Sequence, residues 1–262
     1  VKLIIITNHE LFLEFAQNAP DLTSFSLFSI VLKDMLYTSN SSFDGDAELG
    51  QMIQSYESQK GGLSQRAKMT KLADIGEKAF GFSKYETALK FLDDGLGIAN
   101  KLGDSYDKAT FLGNIGIIYK DLGKYEEALE KHNEALEISK KIGYEQGISS
   151  NLGNIGIIYQ NLGKYEEALE KHNEALEINK KIGNVQGVAT QLGNIGVIYQ
   201  NLGRYEEALE KYNEALEVFE RVGYIQGEIS TFVNLSGVYE ALGDKGLSAH
   251  YAKKAEELKS AL

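Results

Sequence analysis

The seven residues Gly113-Asn114-Ile115-Gly116-Ile117-Ile118-Tyr119 recur at 153–159 and, with one valine in place of an isoleucine, at 193–199. The period is 40 residues, and a fixed period of this length is typical of solenoids built from one repeated supersecondary unit. Extending it in both directions gives five units, at 69–108, 109–148, 149–188, 189–228 and 229–262. The first and last are the least regular, as expected for the ends of a stack.

Each unit is predicted to form two helices. In the second unit Leu112, Ile115 and Tyr119 recur at helical spacing and mark one face of helix A. A second amphipathic segment, from Tyr125 to Ile142, marks helix B and ends at Gly143. Two helices joined by a short link become antiparallel neighbours, and neither buries its apolar face alone, so successive pairs must stack. A long coiled coil is excluded because glycines break the helices and no heptad persists. The sequence therefore predicts an all-α solenoid.

The second unit, numbered from Ala109, resembles the tetratricopeptide repeat pattern. Bulky, bulky, small, aromatic, aromatic, small and small residues stand at Leu112, Ile115, Gly116, Tyr119, Tyr125, Ala128 and Ala135. The usual period of about 34 residues is exceeded, and Lys140, Lys180 and Glu220 stand where the family has a late proline. The repeats are similar to the 40-residue class of Pins/LGN-type polarity adaptors and kinesin light chains, and more distantly to bacterial peptide-sensing regulators. The resemblance implies a right-handed superhelix whose A helices line a concave groove.

A polar strip is predicted on the face of helix A that points away from the core. In the second unit it contains Thr110, Asn114, Ile117 and Asp121, at i, i+4, i+7 and i+11. An asparagine amide carries both a donor and an acceptor, so a row of them can pair with the backbone of an extended peptide. The resemblance implies this use, and Asp74 excludes the first unit. The predicted peptide-binding residues are Asn114, Asn154, Asn194, Asn234, Thr110, Ser150, Thr190, Ile117, Ile157 and Val197. Alternatively, the asparagines bond between adjacent A helices and maintain the superhelical pitch.

The two equivalent histidines of helix B, His132 and His172, invite a metal-site hypothesis, but a packing role is preferred. Tyr212 and Leu92 occupy the same position in other units, which fits a need for bulk and not for ligation. No local motif supports a catalytic site, so the chain is predicted to be a non-enzyme without a metal or a cofactor.

Charge and composition limit the class of partner. The formal net charge is -11 and cysteine is absent. This charge argues against nucleic acid and against an anionic membrane surface, and the lack of cysteine excludes disulfides and fits a cytoplasmic location. The preferred function is an adaptor that binds a peptide or a helical segment of a partner protein. Self-association through the terminal repeats, because the last helix has no separate solvating cap, and the sensor part of a peptide-responsive regulator are alternatives.

Residues 1–68 are expected to cap the N-terminal end of the solenoid. A strand is predicted at Val1–Thr7, and helical segments at 10–17, 22–37 and 46–59. Alternatively, the apolar stretch Phe25–Leu32 occupies the groove or pairs with another chain.

Overall fold

The structure is a computed structural model that describes residues 46–261. The chain divides into two compact units, Val1–Ser58 and Gln59–Leu262. In the first unit the described residues are helical, and the helix continues to residue 59, as predicted for 46–59. The strand predicted at Val1–Thr7, the helices predicted at 10–17 and 22–37, and the stretch Phe25–Leu32 lie outside the described residues.

The second unit is a stack of helix pairs. Between residues 59 and 261 there are ten α-helices: α1 (Gln65–Gly81), α2 (Tyr85–Leu102), α3 (Ser105–Asp121), α4 (Tyr125–Ile142), α5 (Glu145–Asn161), α6 (Tyr165–Lys181), α7 (Val185–Asn201), α8 (Tyr205–Val222), α9 (Ile225–Ala241) and α10 (Lys245–Ser260). Odd-numbered helices are A helices and even-numbered helices are B helices. No strand occurs in residues 46–261, and the ten helices of the second unit form the all-α helix-turn-helix solenoid that the sequence predicts.

The helix ends follow the glycine pattern with one exception. Gly143 ends α4 with φ 68°, in the left-handed region, and glycines occupy the corresponding turns of the other repeats. In the first repeat the turn between A and B holds Ser83 at φ 56°, the one non-glycine residue with positive φ in residues 46–261. Each A helix also begins about one turn before the first residue of the unit assigned from the 40-residue period. For example, α3 begins at Ser105, whereas the second unit is assigned from residue 109. The first turn is mostly polar, so the periodic pattern of apolar residues does not reveal it.

Within a repeat, the two helices approach closely at a glycine in the middle of helix A. A Cβ placed on Gly116 would lie 2.8 Å from the His132 ring, and one on Gly156 would lie 2.7 Å from the His172 ring. The same contact joins Gly76 to Leu92 and Gly196 to Tyr212. Glycine costs about 0.5–1 kcal/mol relative to alanine inside a helix, and the burial of a large B-helix side chain against the bare backbone offsets that cost.

The stack curves with the A helices on its inner side. Successive A helices contact one another directly, α3 with α5, α5 with α7 and α7 with α9. No comparable contact joins successive B helices in the described part of the chain. Helices that lie closer together are on the inside of a curve, so the A-helix faces that point away from the core form the inner surface.

Candidate functional site

The inner surface carries the side chains predicted from the sequence, and we call it the groove face. It is defined by Thr110, Asn114 and Ile117 on α3 and by the residues in the same register on the other A helices: Ser150, Asn154, Ile157, Thr190, Asn194, Val197, Ser230, Asn234 and Gly237. The Thr and Ser side chains are exposed, and the Asn, Ile and Val side chains are half-buried. The opposite side of each A helix is buried, for example Leu112 and Ile115 at 1% exposure.

Side chains from adjacent repeats meet on the groove face. A cavity of about 170 Å³ between α3 and α5 is lined by Thr110, Asn114 and Ile117 from α3 and by Ser150 and Asn154 from α5. Thr190, Asn194 and Val197 hold the same register on α7, and Asn234 holds it on α9. The structure therefore brings the predicted residues of the second and third repeats together and sets the others in line with them.

The asparagine amides of the groove face do not join neighbouring helices. Asn154 Nδ2 donates to the Ser150 carbonyl oxygen, one turn earlier in its own helix, at 3.0 Å. Asn114, Asn194 and Asn234 make no hydrogen bond to any protein atom in residues 46–261. Bracing between A helices is therefore not seen at these positions, and most of their donors and acceptors face solvent.

Three of the neighbouring hydroxyl groups, those of Thr110, Thr190 and Ser230, are bonded within their own helices. Thr110 Oγ1 donates to the Tyr106 carbonyl oxygen at 3.1 Å, and Thr190 Oγ1 donates to the Gln186 carbonyl oxygen at 3.0 Å. Each hydroxyl oxygen keeps its acceptor lone pairs free. The groove face thus presents donors mainly from amides, and acceptors from amides and hydroxyls.

A different polar row, which the sequence analysis missed, joins adjacent repeats in the core. His132 Nδ1 on α4 lies 2.9 Å from Asn151 Oδ1 on α5, and His172 Nδ1 on α6 lies 2.8 Å from Gln191 Oε1 on α7. Asn151 Nδ2 donates to the Gly147 carbonyl oxygen at 2.8 Å, so its oxygen faces His132 and the imidazole Nδ1 is the donor. The sequence shows only that an amide residue, Asn151 or Gln191, comes directly before the buried leucine of the A helix. In the second repeat Phe111 holds the same position.

These histidines are held in the neutral form. Both rings are fully buried, and Nε2 of each has no hydrogen-bond partner. Burial lowers the pKa of His132 to about 4, with a smaller contribution from the positive charge of Lys120, and burial also lowers the pKa of His172. Each ring packs on its own glycine, as expected of a position that needs bulk. In the described residues no group of three or more His, Cys, Asp and Glu side chains is placed to hold a metal ion.

The glycines beside the asparagines have three different environments. A Cβ on Gly153 would lie 2.9 Å from the Gln191 amide, and one on Gly113 would lie 3.5 Å from Asn151 Oδ1. A Cβ on Gly193 would meet no atom within 4 Å. Close approach of the next A helix therefore explains Gly153, while Gly193 leaves the groove floor open.

Two tyrosines form an aromatic rim beside the cavity between α3 and α5. The rings of Tyr106 and Tyr144 lie 4.7 Å apart at 49°, and their hydroxyl oxygens are 3.4 Å apart. The hydrogen bond with Tyr106 and partial burial raise the pKa of Tyr144 to about 12. Tyr106 is 50% exposed. Sequence reasoning missed this pair because both residues fall in the connection before the periodic apolar pattern begins.

The outer surface of the last B helix is charged. Leu136, Leu176 and Leu216 pack against the following A helix, and Glu256 holds this position in α10. Lys259 replaces Phe219 and bonds to Glu256 at 2.8 Å. This surface of α10 is therefore charged, whereas α4, α6 and α8 present apolar side chains to the next A helix at the same positions.

Comparison with known proteins gives a family and a set of similar folds. A family model described as tetratricopeptide repeat matches residues 73–141, 147–221 and 187–261. BtubC (BKLC) from P. vanneervenii has a TM-score of 0.66 at 20% identity, covering 86% of this chain and 91% of that chain. A Rap protein complexed with competence and sporulation factor has a TM-score of 0.69 at 17% identity, covering 79% of this chain and 58% of that one. The apo form of the quorum sensor NprR from B. thuringiensis has a TM-score of 0.64 at 20% identity, covering 95% and 69%. No curated protein sequence matches the chain at a significant level.

None of the helices in residues 46–261 is both long enough and apolar enough to cross a bilayer.

Proposed function

Because the chain belongs to the tetratricopeptide repeat family, we propose that it is a protein-interaction scaffold whose groove face binds an extended or helical segment of a partner protein. One observation carries the proposal: the amides of Asn114, Asn194 and Asn234 lie on the inner surface and have no hydrogen-bond partner within residues 46–261. Its proposed activity is binding and not catalysis.

The groove face suits a ligand that offers its backbone. Each asparagine presents a donor and an acceptor at the spacing of the A helices, so it can pair with a peptide N–H and C=O group regardless of sequence. Ile117, Ile157 and Val197 add apolar contact beside the amides. Backbone pairing and a few apolar contacts together hold a segment without demanding one side-chain sequence.

A role as the sensor part of a regulator is a second candidate. It is favoured by the likeness to NprR, described as a quorum sensor, and to a Rap protein solved with competence and sporulation factor. In this version the groove face is the same and the ligand is a short peptide. A ligand that is a free peptide, and not a segment of a larger protein, would distinguish this candidate from the adaptor.

Replacement of Asn154 and Asn194 by alanine tests the proposal. The partner is first captured from the source cell, and its affinity for the wild type and for the double variant is then measured well below the melting temperature. Loss of each asparagine leaves ligand backbone groups unpaired at a cost of about 1–3 kcal/mol, so we expect at least a roughly tenfold loss of affinity. Stability should change little, because Asn154 bonds only within its own helix.

Asn173 and Asn213 on the B helices provide a matched control. Asn173 Nδ2 donates to the Leu169 carbonyl oxygen at 2.8 Å, the same one-turn bond that Asn154 makes, and Asn213 has no protein partner in residues 46–261. Their double alanine variant should bind as the wild type does. Lost stability with unchanged affinity in the Asn154→Ala/Asn194→Ala variant would refute the proposal.

A further inference from the structure

The groove face is uncharged over three repeats of a strongly acidic chain. On α3, α5 and α7 its positions hold only Thr or Ser, Asn, and Ile or Val, none of which ionises, although the net charge of the chain is -11. The next position of the same strip holds Asn161 on α5, Asn201 on α7 and Asp121 on α3, and the Asp121 carboxylate lies 3.0 Å from Lys120 Nζ. A charged ligand side chain that is desolvated against such walls finds no compensating charge. These three repeats therefore favour a neutral segment.

Two of the same three positions on α1 are acidic, and the third is Thr70. In the register of Asn114 and Ile117 the first repeat has Asp74 and Glu77, and both are exposed. Neither carboxylate has a hydrogen bond or an ion pair within residues 46–261. The groove face therefore changes from neutral to negative between the second repeat and the first.

A cavity connects the acidic and neutral parts. It lies between α1 and α3, has a volume of about 320 Å³, and includes Asp74 and Asp107 in its walls. Thr110 and Asn114 line both this cavity and the cavity between α3 and α5, so the two lie side by side on the groove face. A ligand that follows the neutral groove face toward the N-terminal end thus reaches the acidic cavity.

The one basic side chain in the walls of this cavity does not neutralise it. Arg66 Nη2 lies 2.5 Å from an oxygen of Asp104, and Arg66 Nη1 lies 3.8 Å from one of Asp107. Arg66 is thus already shared by two carboxylates, and the charge of Asp74 remains uncompensated.

From this distribution of charge we infer that the ligand is an extended segment, uncharged where it crosses α3, α5 and α7, with a lysine or arginine where it reaches α1. This inference rests on the proposed function, because it names the chemistry of the segment that the groove face binds. The basic side chain pairs with Asp74 and Glu77, and the pairing sets the direction and register of the segment more than its total affinity.

Peptide selection on the full chain tests the inference. The probe is a phage-displayed library of linear random peptides of about 12 residues, long enough to cross several repeats. We expect the wild type to select neutral peptides with Lys or Arg near one end. Asp74→Asn/Glu77→Gln should select peptides without that residue. Asp94→Asn/Glu86→Gln, which removes two exposed carboxylates from α2 of the same repeat, should select as the wild type does.

A selected peptide then gives the size of the effect. Replacing its basic residue by glutamine should lower the affinity for the wild type about three- to tenfold, the range for one or two exposed ion pairs. The same replacement should leave the affinity for Asp74→Asn/Glu77→Gln unchanged. Adding Asn194→Asp to that variant should move the selected basic residue toward the other end of the peptide.

The outcomes separate this inference from the proposed function. No basic preference in the wild type, or the same preference in Asp74→Asn/Glu77→Gln, would overturn the inference; if the peptides still lose affinity on Asn154→Ala/Asn194→Ala, the proposed function stands. Peptides that bind independently of these asparagines would overturn both. Failure of the library to yield any binder would also overturn both, because the groove face would then not hold an extended peptide.

Discussion

At the level of single residues, the helix pairs are held by a glycine on A and a large side chain on B. His132, His172, Tyr212 and Leu92 differ in chemistry, yet each lies on a glycine of its A helix at a distance that leaves no room for a Cβ. The position therefore selects for shape. Each polar side chain at this position bonds to a second polar residue: Asn151 and Gln191 of the next repeat serve His132 and His172, and Gln200 of the same repeat serves Tyr212.

Alanine substitutions at two helical glycines should have opposite effects on stability. A Cβ on Gly156 would lie 2.7 Å from the His172 ring, whereas one on Gly193 would meet no atom within 4 Å. Overpacking typically costs about 1–3 kcal/mol, and relief of the glycine penalty in a helix gains about 0.5–1 kcal/mol. We expect Gly156→Ala to lower and Gly193→Ala to raise the free energy of unfolding in urea. A stabilising Gly156→Ala would contradict the close contact.

Ser83→Gly should stabilise the first repeat. Ser83 holds a left-handed backbone conformation, φ 56°, at the place where the later repeats have glycine. Relief of that strain should raise the free energy of unfolding by about 0.5–1 kcal/mol, after allowance for the extra freedom of glycine in the unfolded chain. Ser105→Gly, in the first turn of α3, is the control and should not stabilise. A lower melting temperature for Ser83→Gly would show that the serine is not strained.

At the level of helices, the sequence predicts what is periodic and misses what is particular to one boundary. The ends of the B helices follow from Gly143 and its counterparts, because only a residue that tolerates positive φ ends a helix in this way. The contact of Asn151 with His132 could not be predicted, since the two residues belong to different repeats and no rule of spacing joins them. Helical spacing predicts that the asparagines lie on the side of helix A opposite the core, and Asn114, Asn154, Asn194 and Asn234 are half-buried there. Helical spacing does not predict whether they brace neighbouring helices, because that depends on the hydrogen-bond partners of their side chains.

The two histidine bridges should make the central repeats sensitive to acid. The pKa values of His132 and His172 are lowered in the fold, so the unfolded chain binds more protons as the pH falls. The contribution of both is complete above the unfolded pKa of about 6.5 and is lost as the pH falls below it. For His132 the loss extends to about pH 4 and amounts to roughly 3 kcal/mol. We expect the melting temperature to fall between about pH 7 and about pH 5, most steeply below the unfolded histidine pKa.

His172→Tyr/Gln191→Thr should weaken this dependence. The two substitutions introduce the residues found between the fourth and fifth repeats, where Tyr212 donates a hydrogen bond to Gln200 Oε1 at 2.8 Å. Gln160 holds the position that corresponds to Gln200, so it can accept the same bond from the new tyrosine. Unfolding of the variant at acidic pH should take up about one proton fewer than unfolding of the wild type, in which both histidines contribute. Proton uptake is measured as the slope of unfolding free energy against pH. An unchanged slope would mean that His172 is not a source of the acid sensitivity.

Across the whole molecule, charge is distributed by surface. The B helices carry most of the glutamates, with ion pairs such as Lys171–Glu174 at 2.6 Å, while the groove face of the central repeats is neutral. The surface of α10 formed by Glu256 and Lys259 is also charged. This distribution leaves the inner surface as the place where a segment can bind without losing the hydration of ionic groups.

The last B helix should oppose self-association, and its side chains allow a direct test. Glu256 and Lys259 replace Leu216 and Phe219, which pack on the next A helix in the fourth repeat. An apolar patch at the end of a solenoid is an association surface, so Glu256→Leu/Lys259→Phe should make the mass from light scattering rise with protein concentration. The wild type should not associate through this surface. The opposite result would be a wild-type mass that rises with concentration. If Ala249→Glu, a neighbouring change on α10, then restored the mass of the monomer, this surface of α10 would be shown to pair with another copy.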